Sequence, residues 1–177
     1  MITIEAYGLD QTINRIGKMS ASVKSQVNGA LNAFGLNVEQ DAKQLVQANS
    51  SDSGKLANSI SYRTENMKTH VVAAVYYAAY VEFGTRKFAT EQVAKLPPDW
   101  AAYAATFKGK NSKSGSFHDF VIRMIKWAQG TGKIDPKYAY LAALKIIKNG
   151  VKARPFMYPS VNKNLPIFIE DLKDIFR

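Results

Sequence analysis

Met19, Val23, Val27, Ala30, Phe34, Val38, Ala42 and Leu45 follow one another at steps of three or four residues. That spacing is the period of an α-helix, so these side chains form one apolar stripe. Ser20, Asn28, Asn32, Glu39 and Lys43 fall on the remaining faces and are free to meet solvent. A stripe this long needs a surface to lie on, which limits the chain to folds that give one helix a large partner. Gly29 and Gly35 each weaken the helix by about 1 kcal/mol relative to Ala, which marks them as sites of bending or close packing. Asn49-Ser-Ser-Asp-Ser-Gly54 ends the helix with turn chemistry.

The partner surface comes next in the chain. Ile60, Tyr62 and Thr64 alternate with Ser59, Ser61 and Arg63; after a polar turn at Glu65-Asn-Met-Lys-Thr69 comes His70-Val-Val-Ala-Ala-Val-Tyr76. This is the pattern of a β-hairpin, with branched and small residues suited to a sheet packed on the helix. Ile2, Ile4 and Ala6 alternate with Thr3, Glu5 and Tyr7, which predicts a further short strand ended by Gly8. Tyr77 to Phe83 reads as a short helical turn with Gly84 as its left-handed cap.

Phe88 to Lys152 reads as an insertion into this frame. Pro97 and Pro98 suit the first turn of a helix running towards Phe107, with Gly109 beyond its end. Lys108-Gly-Lys-Asn-Ser-Lys-Ser-Gly115 is a basic loop. Ser116-Phe-His-Asp119 resembles a capping box, with Asp in place of Glu or Gln, and opens a helix through Phe117, Phe120, Val121, Met124, Ile125 and Trp127 to Gly130. Asp135-Pro136 caps a third helix, with Tyr138, Leu141, Leu144, Ile146 and Ile147, that stops at Asn149-Gly150. After Pro155 and Phe156, Pro159 stands ahead of a terminal amphipathic helix with Leu165, Phe168, Leu172 and Ile175. Pro166 either kinks that helix or marks its first turn after Asn164.

The expected architecture is therefore α+β: a long N-terminal helix packed on a small antiparallel sheet, a helical insertion and a C-terminal helix. Residues 1–87 with 153–177 are expected to form the core domain and 88–152 a basic helical subdomain.

Charge singles out the same insertion. Met1 to Lys87 carries nine Lys/Arg against seven Asp/Glu, Phe88 to Arg154 twelve against four, and Pro155 to Arg177 three against three. The middle segment thus holds nearly all of the net charge of +10. Such a surface favours an anionic neighbour, either nucleic acid or an acidic protein face, unless it serves only as a solubilising face.

No catalytic set is visible. The chain has no cysteine, which excludes disulfides and thiolate chemistry. Its two histidines, His70 and His118, fall at a strand start and in a helix's first turn, where surface or cap roles are expected. The acidic residues lack metal-ligand spacing, and Gly130-Thr-Gly-Lys133 lacks the flanking residues of a phosphate loop. No enzyme activity and no cofactor are expected. With no leader-like start and no apolar run of the ~20 residues a spanning helix needs, the expectation is a protein made in the cytosol and not held in a membrane.

Three stretches remain: Ser53-Gly-Lys-Leu-Ala-Asn-Ser-Ile60, Tyr77-Ala-Ala-Tyr-Val-Glu-Phe-Gly-Thr85 and Arg154-Pro-Phe-Met-Tyr-Pro159. In this order and spacing they resemble the head–tail connector proteins of long-tailed bacteriophages, also called neck or tail-completion proteins. The first is similar to that family's small-Gly-x-Leu-x-x-Ser-Ile run, the second to its most recognisable signature and the third to the pattern before its final helix. Longer members carry a Pro-Pro and aromatic-rich insertion where residues 88–152 lie here. Ser160 departs from the family, in which Ala is common.

The resemblance implies a structural virion protein, made in the bacterial cytoplasm and placed at the head–tail junction. Its implied partners are copies of itself in a ring, neighbouring head-closure and tail proteins, and DNA passing through the junction. Tyr77, Tyr80, Glu82, Phe83, Arg86, Arg154 and Phe156 are the candidate interface residues, either holding the subunit together or facing the next one. Glu82 is a candidate partner of Arg154 or Arg86, pinning two distant motifs. Trp100, Tyr103, Phe107 and Trp127 serve either as a local core or as a docking surface. Lys108, Lys110 and Lys113 are candidates for DNA or partner contact. The alternative function is a nucleic-acid-binding module that uses the basic insertion.

Overall fold

A computed structural model describes residues 2–5, 20–50, 54–107 and 116–177. The fold is α+β, in the order β1 (Ile2–Glu5), α1 (Ala21–Ser50), α2 (Lys55–Asn58), β2 (Ile60–Glu65), β3 (Lys68–Ala73), α3 (Ala78–Phe83), α4 (Lys87–Val93), α5 (Pro98–Ala105), α6 (Phe117–Thr131), a 3-10 turn (Pro136–Tyr138), α7 (Ala139–Asn149) and α8 (Met157–Ile175). The chain divides into two compact units: residues 1–78 with 155–177, and residues 79–154.

In the first unit, α1 packs on the sheet and on α8. Its predicted stripe is buried or half-buried from Val23 to Leu45; Met19 lies outside the described residues. Leu31, Gly35 and Val46 are buried as well, although the stripe omits them. The reason is that α1 has two partners, so its inward face is wider than one period-matched row. Val27, Ala30, Leu31 and Phe168 form a core cluster joined by Phe34, Met67, Leu172 and Ile175. The Phe34 and Phe168 rings lie 5.0 Å apart.

The sheet is antiparallel, in the order β1-β3-β2. Ile60 pairs with Ala73, Tyr62 with Val71 and Thr64 with Thr69. This puts Ile60, Tyr62 and Thr64 on the less exposed face, as the alternation predicts. The hairpin turn is tighter than expected. Only Asn66 and Met67 form it, both at positive φ (50° and 60°), so Glu65, Lys68 and Thr69 belong to strands. Two positive-φ residues match the right-handed twist of the flanking strands. Met67, costly there, is partly buried against the core cluster. The second strand also ends early, at Ala73 rather than Tyr76.

Gly35 stands where α1 comes nearest the sheet: a Cβ there would lie 2.6 Å from Thr69 Oγ1 and 2.6 Å from Tyr62 Cδ2. Gly29 has nothing within 4 Å of such a Cβ, so close packing explains only one of the two. Glu39, one turn on from Gly35, accepts the Tyr62 backbone N–H at 3.0 Å through Oε2 and pairs with Lys43 through Oε1. The carboxylate thereby satisfies a donor on the edge strand.

The start of α8 corrects the sequence reading. The helix begins at Met157, and Pro159 sits in its first turn, where a backbone N–H has no intrahelical partner to lose. Pro166 lies inside a continuous helix, so it does not begin a new one.

The second unit is helical. Pro98 opens α5, and Ser116 and Asp119 form the reciprocal capping box of α6. Gly132, with φ 64°, caps α6 in place of the expected Gly130. Asp135 Oδ1 accepts the Lys137 N–H at 3.0 Å, ahead of the 3-10 turn and α7. Helix α4 was not anticipated: Lys87-Phe-Ala-Thr-Glu-Gln-Val93 has no apolar row and no buried residue.

Candidate interface built from two distant motifs

Residues 81–85 and 150–154, far apart in sequence, are fastened side by side within the second unit. Gly84 ends α3 in the left-handed conformation, with φ 74°, and donates its N–H to the Tyr80 carbonyl at 3.0 Å. Beyond this cap, Thr85 N–H donates to the Val151 carbonyl at 3.0 Å, and Val151 N–H returns to Thr85 Oγ1 at 2.7 Å. Arg154 N–H donates to the Val81 carbonyl at 2.8 Å. The tyrosine-rich motif and the Arg-Pro motif are therefore joined through their backbones.

Two glycines make this approach sterically feasible. A Cβ on Gly84 would stand 2.9 Å from both Val151 O and Ala153 N, and one on Gly150 would stand 2.2 Å from Thr85 O. Gly150 also has φ 89° and ψ −175°, a backbone region essentially reserved for glycine. Arg86 follows Thr85 at φ 54° and ψ −130°, a strained backbone for a residue with a side chain. It is held between the Thr85–Val151 fastening and the first turn of α4.

The candidate side chains divide by exposure. Glu82 is 1% exposed, and Phe83 and Phe156 are buried too. Tyr77 and Tyr80 are half-buried, whereas Arg86 and Arg154 are exposed. Burial raises the Tyr77 phenol above its ordinary pKa, with the neighbouring Tyr76 adding to the effect. Tyr76 itself is 81% exposed and meets the Tyr77 ring edge-on at 5.3 Å. Lys108, Lys110 and Lys113 lie outside the described residues.

Phe83 belongs to an aromatic cluster. Its ring centroid lies 6.4 Å from Tyr103 and 6.0 Å from Phe107, and Tyr103 in turn meets Phe107 at 5.1 Å and Trp100 at 6.4 Å. Of the two roles open to the insertion's aromatics, these contacts support the local core for Trp100, Tyr103 and Phe107.

In the first unit, a polar linkage escaped sequence reasoning. Asp41 on α1 accepts from Lys163 Nζ at 2.8 Å and from Asn164 Nδ2 at 2.7 Å, both on α8. Asn164 Nδ2 also donates to the Ser160 carbonyl at 2.9 Å, and Ser160 Oγ to the Phe156 carbonyl at 2.6 Å. The Lys163 hydrogen bond holds the Asp41 carboxyl below its ordinary pKa against the opposing effect of desolvation, and the Asn164 hydrogen bond adds to the lowering. The only sequence signal is an Asp beside Ala42 at the edge of an apolar stripe.

Among the described residues, no group of three or more His, Asp or Glu is placed to hold a metal ion. His70 is half-buried on β3, and His118 is exposed in the first turn of α6. Among the same residues, no helix is long and apolar enough to cross a membrane.

Residues 10–84 match the HK97-gp10-like family model, described as "Bacteriophage HK97-gp10, putative tail-component". The match ends at Gly84, the last residue before the Thr85–Val151 fastening. No curated protein and no solved structure matches the chain at a significant level.

Proposed function

We propose that this chain, whose residues 10–84 match the HK97-gp10-like model of a phage tail component, is a non-enzymatic structural protein of the head–tail junction. The observation that carries the reading is the Arg154–Val81 hydrogen bond. It attaches the third connector-like motif, which lies beyond the matched residues, to the second, which lies within them. Order in sequence and proximity in space thus agree for two of the three motifs that resemble connectors.

In this reading the protein joins or completes the tail on a DNA-filled capsid by assembling into a ring. Ring closure needs a heterologous interface, in which one patch meets a different patch on the neighbouring copy. Tyr77 in the first unit, and Tyr80, Arg86 and Arg154 in the second, retain exposed surface for such a contact, whereas Glu82, Phe83 and Phe156 are buried. Residues 1–87 with 153–177 act as the connector domain, and 88–152 as an inserted module that meets adjoining head-closure or tail proteins.

The test is in vitro complementation. A lysate of the parent phage with this gene interrupted receives the purified protein, without new synthesis, and plaque titre is scored. A recovered titre supports the reading, and an unchanged titre from intact heads and tails contradicts it.

The charge of residues 88–154 favours a second reading, a nucleic-acid-binding module. Duplex binding through several phosphates loses affinity by orders of magnitude between low and moderate salt. Salt-insensitive or absent binding removes that reading.

A further inference from the structure

Helix α7 has more apolar surface than its own unit uses. Ala139 and Ala143 are its buried positions. On an adjoining face, Tyr140, Leu141, Leu144 and Ile147 are 52%, 60%, 41% and 41% exposed. Their spacing of i, i+1, i+4 and i+7 lines them up along the helix. Phe117, at the start of α6, meets the Tyr140 ring edge-on at 5.6 Å and widens the row. A single exposed Leu is ordinary; a continuous row joined by a ring contact is a patch of the kind that marks interaction sites.

The charges around it restrict the partner. Between Phe117 and Asn149 there are six Lys/Arg and two Asp. Both acids are engaged locally: Asp119 caps α6 with Ser116, and Asp135 pairs with Lys137 at 2.9 Å. Lys145 and Lys148 are exposed on α7 itself, which contains no acidic residue.

We propose that this face of α7 is a docking surface for an amphipathic helix of a partner protein, one whose apolar stripe is bordered by Asp or Glu. An apolar row with a cationic rim complements such a helix in both shape of pattern and sign of charge. Nucleic acid would engage the lysines and leave the leucines unused. The same face of a second copy would set lysines against lysines across a two-fold axis. This apolar, lysine-rimmed face belongs to α6 and α7 alone and is independent of placement at the head–tail junction.

The probe is a fluorescent synthetic helical peptide of about 18 residues, five turns, with a Leu stripe bordered by Glu. A scrambled peptide and a version with Lys in place of Glu are the controls. The full-length protein is expected to bind the acidic amphipathic peptide, with anisotropy saturating, and to discriminate against both controls. Leu141→Ser with Leu144→Ser should weaken binding by about tenfold or more while melting is retained. Lys145→Glu with Lys148→Glu should weaken the acidic peptide and improve the Lys peptide, a reversal that damaged folding does not produce. Equal binding of all three peptides, or no effect of either pair of substitutions, overturns the proposal. So does binding only to duplex DNA or anionic vesicles, or a wild-type dimer that the serine pair dissociates.

Discussion

Asn164 donates its side-chain amide to Asp41 across 2.7 Å, tying the last helix to the first long one over 123 residues of sequence. Asn164 is 4% exposed, so its amide has little access to water. Asp41→Ala should lower stability by about 1–3 kcal/mol at neutral pH, since a buried donor loses its acceptor. Chemical denaturation read by circular dichroism measures this.

The same carboxylate carries a pH dependence of known sign. Its folded pKa lies below the ordinary 3.8, so its contribution is present above that value and is lost as pH falls through the folded pKa. The stability gap between wild type and Asp41→Asn should therefore be constant near neutrality and shrink below about pH 4. A gap that widens on acidification would contradict the linkage.

The two glycines of α1 should respond in opposite directions. Gly35→Ala forces a methyl group to within 2.6 Å of Thr69 and Tyr62, an overpacking that outweighs the helical gain and costs about 1–2 kcal/mol net. Gly29→Ala meets open space and should stabilise by about 0.5–1 kcal/mol. Matched thermal melts decide between them.

Gly150→Ala tests the fastening of the two motifs. Its Cβ would lie 2.2 Å from a backbone oxygen, in a backbone region that disfavours any side chain. A loss of about 3 kcal/mol or more is expected. Thr85→Val removes only the hydroxyl that accepts from Val151 and should cost about 1 kcal/mol.

Glu82 is the buried carboxyl group of the tyrosine-rich motif. Glu82→Gln is expected to lower stability by about 1–3 kcal/mol. If Arg154 is the partner, Arg154→Gln added to Glu82→Gln costs less than the two single losses together. Strict additivity rejects that pin.

Period and turn chemistry were enough to read most of the fold from sequence. The α1 stripe, the inward Ile60-Tyr62-Thr64 row, the Gly84 cap and the Ser116–Asp119 box each announce themselves within a few residues. What escaped depends on distance. Leu31 and Val46 are buried because α1 meets two partners, and Gly35 matters because of Tyr62 and Thr69. The Asp41–Asn164 and Thr85–Val151 contacts join residues that no local pattern relates. Helix α4 has no buried row to mark it. The connector-like motifs are legible as local patterns, while the hydrogen bonds that join two of them appear only in three dimensions.

The central claim is most directly tested by deleting the gene from its parent phage and imaging the lysate by electron microscopy. The account predicts DNA-filled heads beside complete but unattached tails, with joined particles restored when the gene is supplied in trans. Normally joined, infectious virions from the deletion would contradict it.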